Sequence, residues 1–205
     1  MFTVIPAKPF QQAKTRLAAV LSLAERANLS RHLLQRTIHL AGQVGEVVVI
    51  SRDAAVRRVA KEAGAWALVE MGAGLNGAVQ QASEWVLAQG GQRMLVLPGD
   101  LPLVQLADIQ AMVALGQSSP ALVIAPCQRR DGTNALFLNP PDLIPFAFGP
   151  GSFAQHQQAG WARGVIPIIY DSATLALDLD LPGDLEDWFT QADVPGFAPK
   201  IMKGL

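Results

Sequence analysis

Short apolar segments alternate with helical patterns from the N-terminus to about residue 126, and this alternation constrains the fold more than any other feature of the chain. The apolar runs at residues 47–50 and 94–97 are far too short to cross a membrane, and they suit strands that are buried on both faces of a sheet. The β-α-β-α order predicts an α/β protein whose mostly parallel central sheet is flanked by helices.

The pattern is specific enough to predict individual elements. We expect strands at residues 2–5, 47–51, 66–70, 93–97 and 121–126, and helices at residues 22–43, 53–63, 76–89 and 105–115. Ser22 and Glu25 form a capping-box pattern at the start of the first helix. After Cys127 the pattern loosens into extended segments at 131–138, 165–170 and 174–180, with a helix over 152–163 and a last helix after Pro182.

The length and composition limit what the chain can be. Its 205 residues suit one domain, which we place at residues 1–192 and follow with a loosely held tail at 193–205. A net charge of -1 argues against general binding to nucleic acid or to a membrane surface. Cys127 is the single cysteine and the N-terminus has no signal-peptide pattern, so we expect a cytoplasmic protein. Association as a homodimer is left open.

Parallel sheets of this kind bind ligands at the carboxyl ends of their strands, so the loops that follow strands are the first candidates for function. Asp100 lies in a proline- and glycine-containing turn at residues 98–102, directly after the buried strand at 93–97. A carboxylate at this place sits where a metal ion and phosphates would be held. The alternative is that Asp100 only caps the following helix.

A second acidic segment occupies residues 174–181, where leucine alternates with other residues. If this segment is a strand, its side chains alternate between two faces, and Asp178 and Asp180 lie side by side opposite the core-facing leucines Leu175, Leu177, Leu179 and Leu181. Two neighbouring carboxylates repel one another unless a cation lies between them, and Mg²⁺ prefers such oxygen ligands. Alternatively, the aspartates lie on a solvated face and cap the helix that follows.

Two further segments can bind phosphate. A Gly-Pro-Gly-Ser turn at residues 149–152 precedes a predicted helix and can offer backbone N–H groups to an anion, although Ser152 can equally be a simple N-cap. Lys8 and Lys14 lie in a basic loop after the first strand, which can bind phosphate or only be solvated.

The histidines and the cysteine carry weaker signals. His156 lies one helical turn after Ser152 and can support the anion site, whereas His32 and His39 are interpreted as surface residues. Cys127 has no catalytic partner in the sequence and is expected to be a buried thiol.

Taken in this order and spacing, the motifs resemble those of the 2-phospho-L-lactate guanylyltransferase family, which acts in the biosynthesis of the deazaflavin coenzyme F420. The resemblance runs from Ile5 to about Trp188. It is carried by the motifs at residues 5–9, 13–17, 97–102, 131–136, 148–153 with His156, and 177–180.

The resemblance implies a single-domain, Rossmann-like nucleotidyltransferase of the nucleotide-diphospho-sugar transferase type. It implies a reaction in which GTP gives its guanylyl group to 2-phospho-L-lactate or phosphoenolpyruvate and pyrophosphate leaves. By the same resemblance, Mg²⁺ is held by Asp100, Asp178 and Asp180. The phosphorylated acid is held by Lys8, Lys14, Thr133, Gly149 and Ser152, Lys8 and Asp100 are catalytic, and the guanosine lies near Gly74, Asn76 and Pro98.

The first loop departs from related nucleotidyltransferases, because residues 5–8 lack their run of glycines. Two alternatives stay open at this point. One is a small nucleotidyltransferase that uses another nucleoside triphosphate or 3-phosphoglycerate. The other is a nucleotide-binding module without turnover, which has no need of three carboxylates.

Overall fold

A computed structural model describes residues 1–72 and 74–191, and the expected tail at 193–205 lies outside these residues. The strands form one seven-stranded sheet in the order β3-β2-β1-β4-β6-β5-β7. They are β1 (Phe2–Pro6), β2 (Glu46–Ser51), β3 (Trp66–Val69), β4 (Met94–Val96), β5 (Ala121–Pro126), β6 (Thr133–Asn139) and β7 (Ile168–Ile169). Only β6 runs antiparallel to its neighbours, which confirms the predicted α/β fold with a mostly parallel sheet.

Helices cover both faces of this sheet. They are α1 (Leu23–Gly42), α2 (Ala54–Glu62), α3 (Gly74–Ala88), α4 (Leu106–Leu115), α5 (Ser152–Ala162), α6 (Ala173–Ala176) and α7 (Pro182–Gln191). Two short 3₁₀ helices, Phe10–Gln12 and Thr15–Leu17, follow β1. None of the described helices is both long and apolar enough to span a lipid bilayer.

The core follows from the alternation of side chains along the buried strands. In β2, Val47 and Val49 join the cluster under α1, α2 and α4, whereas Val48 and Ile50 join the cluster under α3 and α5. A third cluster packs Leu177 and Leu179 against leucines of α1 and against α7. The apolar runs of the sequence are therefore continuous because both faces of the sheet are covered.

The start of α1 is as predicted. Ser22 Oγ accepts a hydrogen bond from Glu25 N at 3.3 Å, and Glu25 Oε2 accepts one from Ser22 N at 2.8 Å. The reciprocal pair satisfies donors that a helix N-terminus otherwise leaves unpaired.

The predicted strand at 174–180 is wrong. Residues 173–176 form the short helix α6, and residues 177–180 have no regular secondary structure. Ser172 caps α6 by accepting a hydrogen bond from Leu175 N, and Asn134 Nδ2 donates to the carbonyl groups of Leu175 and Ala176. These side-chain bonds, one local and two from a distant residue, occupy backbone groups that a sheet ladder would need. Leu181, predicted to face the core, is 37% exposed.

Two smaller assignments also differ. The extended segment at 165–170 contains only the two-residue strand β7. α3 begins at Gly74, two residues before the predicted start of this helix at residue 76.

Asp108 on α4 anchors the segment that leads to the acidic residues. Its buried carboxylate accepts hydrogen bonds from Ser172 Oγ at 2.6 Å, Thr174 Oγ1 at 2.7 Å and Tyr170 Oη at 3.2 Å. It also accepts one from Gln105 N at 2.8 Å, at the start of α4. One carboxylate thus joins α4 to residues 170–174.

We expect Asp108→Ala to lower the free energy of unfolding by about 2–4 kcal/mol, because several buried donors lose a charged acceptor at once. Urea unfolding measures the change, and Asp142→Ala at an exposed position is the matched control. A change in the Asp108 variant no larger than in the control would contradict the anchoring role.

Candidate active site

One large cavity opens at the carboxyl ends of β1, β2 and β4. Its volume is about 820 Å³, and the loops after β1, β3, β4 and β5 line it together with the turn before α5 and residues 177–184. This is the edge where parallel α/β sheets generally bind ligands.

The cavity brings together most of the residues that the sequence predicted. Its lining includes Lys8, Lys14, Gly74, Pro98, Asp100, Thr133, Gly149, Ser152, Asp178 and Asp180. Asn76 does not line it. Instead, the Asn76 side chain accepts a hydrogen bond from Phe148 N at 2.7 Å and donates one to Phe148 O at 3.1 Å. It therefore holds the loop before α5 against α3.

Lys14 lies between two of the acidic residues. Its Nζ atom is 2.9 Å from Asp100 Oδ2 and 3.8 Å from Asp180 Oδ1, and its side chain is only 4% exposed. The backbone at Lys14 is left-handed, with φ of 55°, which turns the chain between the two 3₁₀ helices. Arg16 Nη1 contacts the other oxygen of Asp180 at 3.2 Å.

Burial and neighbouring charges shift the pKa values of Asp100 and Asp178. Burial acts to raise the pKa of Asp100, but the charge and hydrogen bond of Lys14, with the charge of Lys8, outweigh it and hold that pKa below its usual value. Asp178 behaves in the opposite way, because burial and the charges of Asp100 and Asp180 raise its pKa. No ion pair within 4.0 Å compensates Asp178 among the residues that the structure describes.

The chemistry of these carboxylates suits a divalent cation, but their positions in this structure do not form a complete metal site. Within residues 1–72 and 74–191, no group of three His, Cys, Asp or Glu side chains is placed to hold a metal ion. However, the Lys14 ammonium shows that Asp100 and Asp180 can approach a common cation. Carboxylate oxygens are the ligands that Mg²⁺ prefers. The donor set therefore fits Mg²⁺ if Lys14 withdraws and Asp178 moves in.

The acidic segment is held in place by contacts that sequence reasoning did not assign. Asp184 Oδ2 accepts hydrogen bonds from the backbone of Asp180 at 2.8 Å and Leu181 at 2.6 Å. Asn134, next to Thr133, bonds the carbonyl groups of α6. Asp184 could have been found from the sequence, since an acidic residue in the first turn after Pro182 is typical of a helix start.

The turn before α5 differs from the simple anion site that the sequence suggested. The positive φ angles of Gly149 (130°) and Gly151 (72°) explain the two glycines, and the N-cap is Gly151, so the alternative of Ser152 as N-cap is wrong. Asp131 takes up helix donors: its Oδ1 accepts from Gly151 N at 3.1 Å and its carbonyl from Phe153 N at 3.1 Å. The backbone therefore offers an anion fewer donors than expected.

Two side-chain hydroxyls lie at the same turn. Ser152 is buried, and its Oγ atom accepts a hydrogen bond from Thr133 N at 2.9 Å. Since an acceptor oxygen retains its own proton, the Ser152 hydroxyl can still donate to a ligand. His156 is fully buried beneath this pair, whereas His32 and His39 are exposed as expected.

The opposite part of the cavity contains an ion pair that the sequence interpretation missed. Arg52 and Glu70 each follow directly after a strand, β2 and β3, and pair through two hydrogen bonds. Gly74, Leu75 and Pro98 also line the cavity, together with this pair. Both residues could have been identified from the sequence, because each is charged and lies at the carboxyl end of a predicted strand, where such sheets bind ligands.

Comparison with solved structures gives the class of protein. A protein from Desulfovibrio desulfuricans G20 described as a nucleotide-diphospho-sugar transferase superposes with a TM-score of 0.78, covering 98% of this chain and 93% of that one. At 16% sequence identity, the likeness shows a shared fold. The architecture is that of the nucleotide-diphospho-sugar transferase fold, in agreement with the sequence expectation.

Sequence comparisons narrow this class. The family model described as "Guanylyl transferase CofC like" matches residues 1–193. A phosphoenolpyruvate guanylyltransferase from Rubrobacter xylanophilus is 42% identical over 187 residues, which cover 90% of this chain and 91% of the relative. A 2-phospho-L-lactate guanylyltransferase from Methanocaldococcus fervens is 32% identical, with 100% and 91% covered. The chain belongs to the CofC-like guanylyl transferase family and is a nucleotidyltransferase enzyme.

We expect Lys14→Gln to raise the pKa of Asp100 in metal-free protein, because the variant loses the charge that stabilises the ionised carboxylate. Carboxyl ¹³C NMR titration measures the pKa. Lys61→Gln, at an exposed position of α2, is the control. An Asp100 pKa that does not change in the Lys14 variant would show that Lys14 does not control the charge of this cluster.

Proposed function

We propose that this protein transfers the guanylyl group of GTP to a small phosphorylated acid and releases pyrophosphate, as a step of coenzyme F420 biosynthesis in the cytoplasm. One observation carries the proposal: a single cavity joins an acidic cluster, two lysines and a hydroxyl-bearing turn at the ligand-binding edge of the sheet. Membership of the CofC-like family supports the guanylyl donor.

The acceptor is proposed to be phosphoenolpyruvate, with 2-phospho-L-lactate second. The relative that is 42% identical carries phosphoenolpyruvate in its name, and the one that is 32% identical carries 2-phospho-L-lactate. Both acids place the phosphate on the carbon next to the carboxylate, and the short turn at residues 149–152 suits such a compact acid. The acid-binding residues are proposed to be Lys8, Lys14, Thr133, Gly149 and Ser152.

The chemistry needs no protein base. The nucleophile is the phosphate of the acid, whose second pKa is about 6, so that it is largely a dianion at neutral pH. The protein has to bring this dianion in line with the α-phosphorus of GTP and offset the repulsion between the two anions. Lys8 and Lys14 supply positive charge for that purpose, and Lys8 already influences Asp100 through space.

Asp100, Asp178 and Asp180 are proposed to hold Mg²⁺. When bound, the ion would shield the triphosphate and favour departure of pyrophosphate. Lys14, which contacts Asp100 and Asp180 in this structure, would then be able to contact a phosphate group instead. Gly74 and Pro98 are proposed to contact the nucleotide. Asn76 is proposed to support nucleotide binding indirectly, by holding the loop before α5 in place.

The function is tested by measuring pyrophosphate release with each of the four nucleoside triphosphates in combination with phosphoenolpyruvate, 2-phospho-L-lactate or 3-phosphoglycerate. We expect turnover with GTP and either of the first two acids, with phosphoenolpyruvate preferred. A clear preference for another triphosphate would overturn the guanylyl assignment. A preference for 3-phosphoglycerate would overturn the assignment of the acid alone.

Asp178→Asn should lower the turnover number at least about 100-fold, because it removes one ligand of the proposed ion. The melting temperature of the metal-free variant should be no lower than that of the wild type, since Asp178 has a raised pKa and its charge opposes folding at neutral pH.

Turnover against Mg²⁺ concentration and thermal melting provide the two measurements, with Asp142→Asn as an exposed control. Chelation of divalent metal should abolish wild-type turnover, and Mg²⁺ should restore it. Wild-type turnover that survives chelation, or near-normal activity of the variant at low Mg²⁺, would rule out the metal assignment.

A further inference from the structure

The His156 side chain lies between β6 and the loop before α5, at the side of the cavity where the turn at residues 149–152 lies. Its ring is fully buried, with Nδ1 at 2.9 Å from Thr133 Oγ1 on β6. Its Nε2 atom accepts a hydrogen bond from Ala147 N at 3.1 Å. Phe148 packs against the ring edge to face, with 5.0 Å between ring centroids. Both ring nitrogens are therefore occupied, and neither is free to act on a substrate.

The Ala147 contact decides which nitrogen carries the proton. A backbone N–H can only donate, so Nε2 must accept and carries no hydrogen. Burial lowers the pKa of His156 to about 4, so the ring is neutral at pH 7 and its one proton lies on Nδ1. His156 Nδ1–H therefore donates to Thr133 Oγ1.

This direction determines what the Thr133 hydroxyl can do. Its oxygen accepts from the ring, so its own proton points away from His156. Thr133 lines the cavity, as does Ser152, whose Oγ atom accepts from Thr133 N. Both hydroxyl protons are thus available at the same turn. In the other tautomer, Thr133 would donate to the ring and would present only lone pairs to an anion.

We propose that His156 is a positioning residue, which fixes the Thr133 hydroxyl as a hydrogen-bond donor to the phosphate or carboxylate group of the acid. The inference rests on the proposed function, because it requires an anionic acid on this side of the cavity. It explains why a fully buried polar ring lies beneath a turn whose backbone donors are largely taken up by Asp131.

Two substitutions separate the contacts of the ring. In His156→Asn, the amide nitrogen can take the place of Nδ1 and still donate to Thr133. In His156→Gln, the amide oxygen can take the place of Nε2 and accept from Ala147 N–H, while the donor to Thr133 is lost. Each variant loses one hydrogen bond and part of the ring packing, so a purely structural role predicts similar defects in both.

We expect His156→Gln to weaken phosphoenolpyruvate binding about tenfold or more, the usual effect of losing an oriented hydrogen bond to a charged group. Its KM for GTP should change less than twofold or so, and His156→Asn should bind the acid within about threefold of the wild type. Calorimetry with phosphoenolpyruvate alone measures binding, and steady-state kinetics with both substrates give KM and kcat. His39→Gln, on the exposed face of α1, is the matched control.

Thr133 variants provide the second arm. Thr133→Val should weaken acid binding as much as His156→Gln does, whereas Thr133→Ser should retain it. In the Thr133→Val background, His156→Gln should weaken binding no further, because both changes remove the same donor. Should His156→Gln fail to fold, which thermal melting reveals, normal acid binding by Thr133→Val would still overturn the inference.

The outcomes separate the inference from the function on which it rests. Equal losses in His156→Asn and His156→Gln, additive losses in the double variant, or normal acid binding by Thr133→Val would overturn the positioning role and leave the guanylyltransferase assignment intact. A wild-type protein that releases no pyrophosphate from any pair of substrates would overturn the proposed function. The binding measurements would still test the role of His156 in that case. Absence of binding by both phosphoenolpyruvate and 2-phospho-L-lactate would overturn both.

Discussion

Repulsion among three carboxylates is the constraint around which this site is built. Asp100, Asp178 and Asp180 come from two loops that are distant in sequence, and burial together with the charges of Asp100 and Asp180 raises the pKa of Asp178. Lys14 offsets part of this repulsion by contacting Asp100 and Asp180 together. Lys14 itself has left-handed backbone between the two short 3₁₀ helices, so the irregular loop after β1 brings a cation to the cluster.

The same constraint accounts for the polar contacts around residues 170–184. The segment carries Asp178, whose pKa is raised by burial and by neighbouring charges, and polar contacts hold it against the sheet. Asp108 provides one by accepting hydrogen bonds from three hydroxyl groups, and Asp184 another by capping the backbone after Asp180. Leu177 and Leu179 add apolar burial against α1 and α7. The segment thus combines a buried apolar face with charged groups at the ligand-binding edge, without being a strand.

The far side of the cavity is formed by a turn whose backbone donors are partly occupied. Asp131 stabilises the turn before α5 by accepting from its backbone N–H groups, and this makes the helix start less available to a ligand. The Thr133 and Ser152 hydroxyls lie at the same turn, and buried His156 contacts Thr133 from below. A turn that looks in sequence like a backbone anion site therefore has part of its backbone donors occupied and two hydroxyl groups beside them, with its geometry set by Asp131 and His156.

The sequence by itself determined the layered α/β fold, the capped start of α1 and the loops that carry the site, because these depend on local pattern and on where parallel strands end. Alternation also placed Leu177 and Leu179 opposite Asp178 and Asp180 correctly, although the inferred strand was wrong. Only the tertiary structure decided that Asn134 and Asp108 would take up the polar groups of 172–176, that Asn76 would hold Phe148, and that Lys14 would bridge the acidic loops. Those outcomes depend on side chains more than 40 residues apart in the chain, as with Asn134 and Leu175 at a separation of 41. Local propensity carries no information about such partners, because only the assembly of the sheet and its helices brings them within hydrogen-bonding distance.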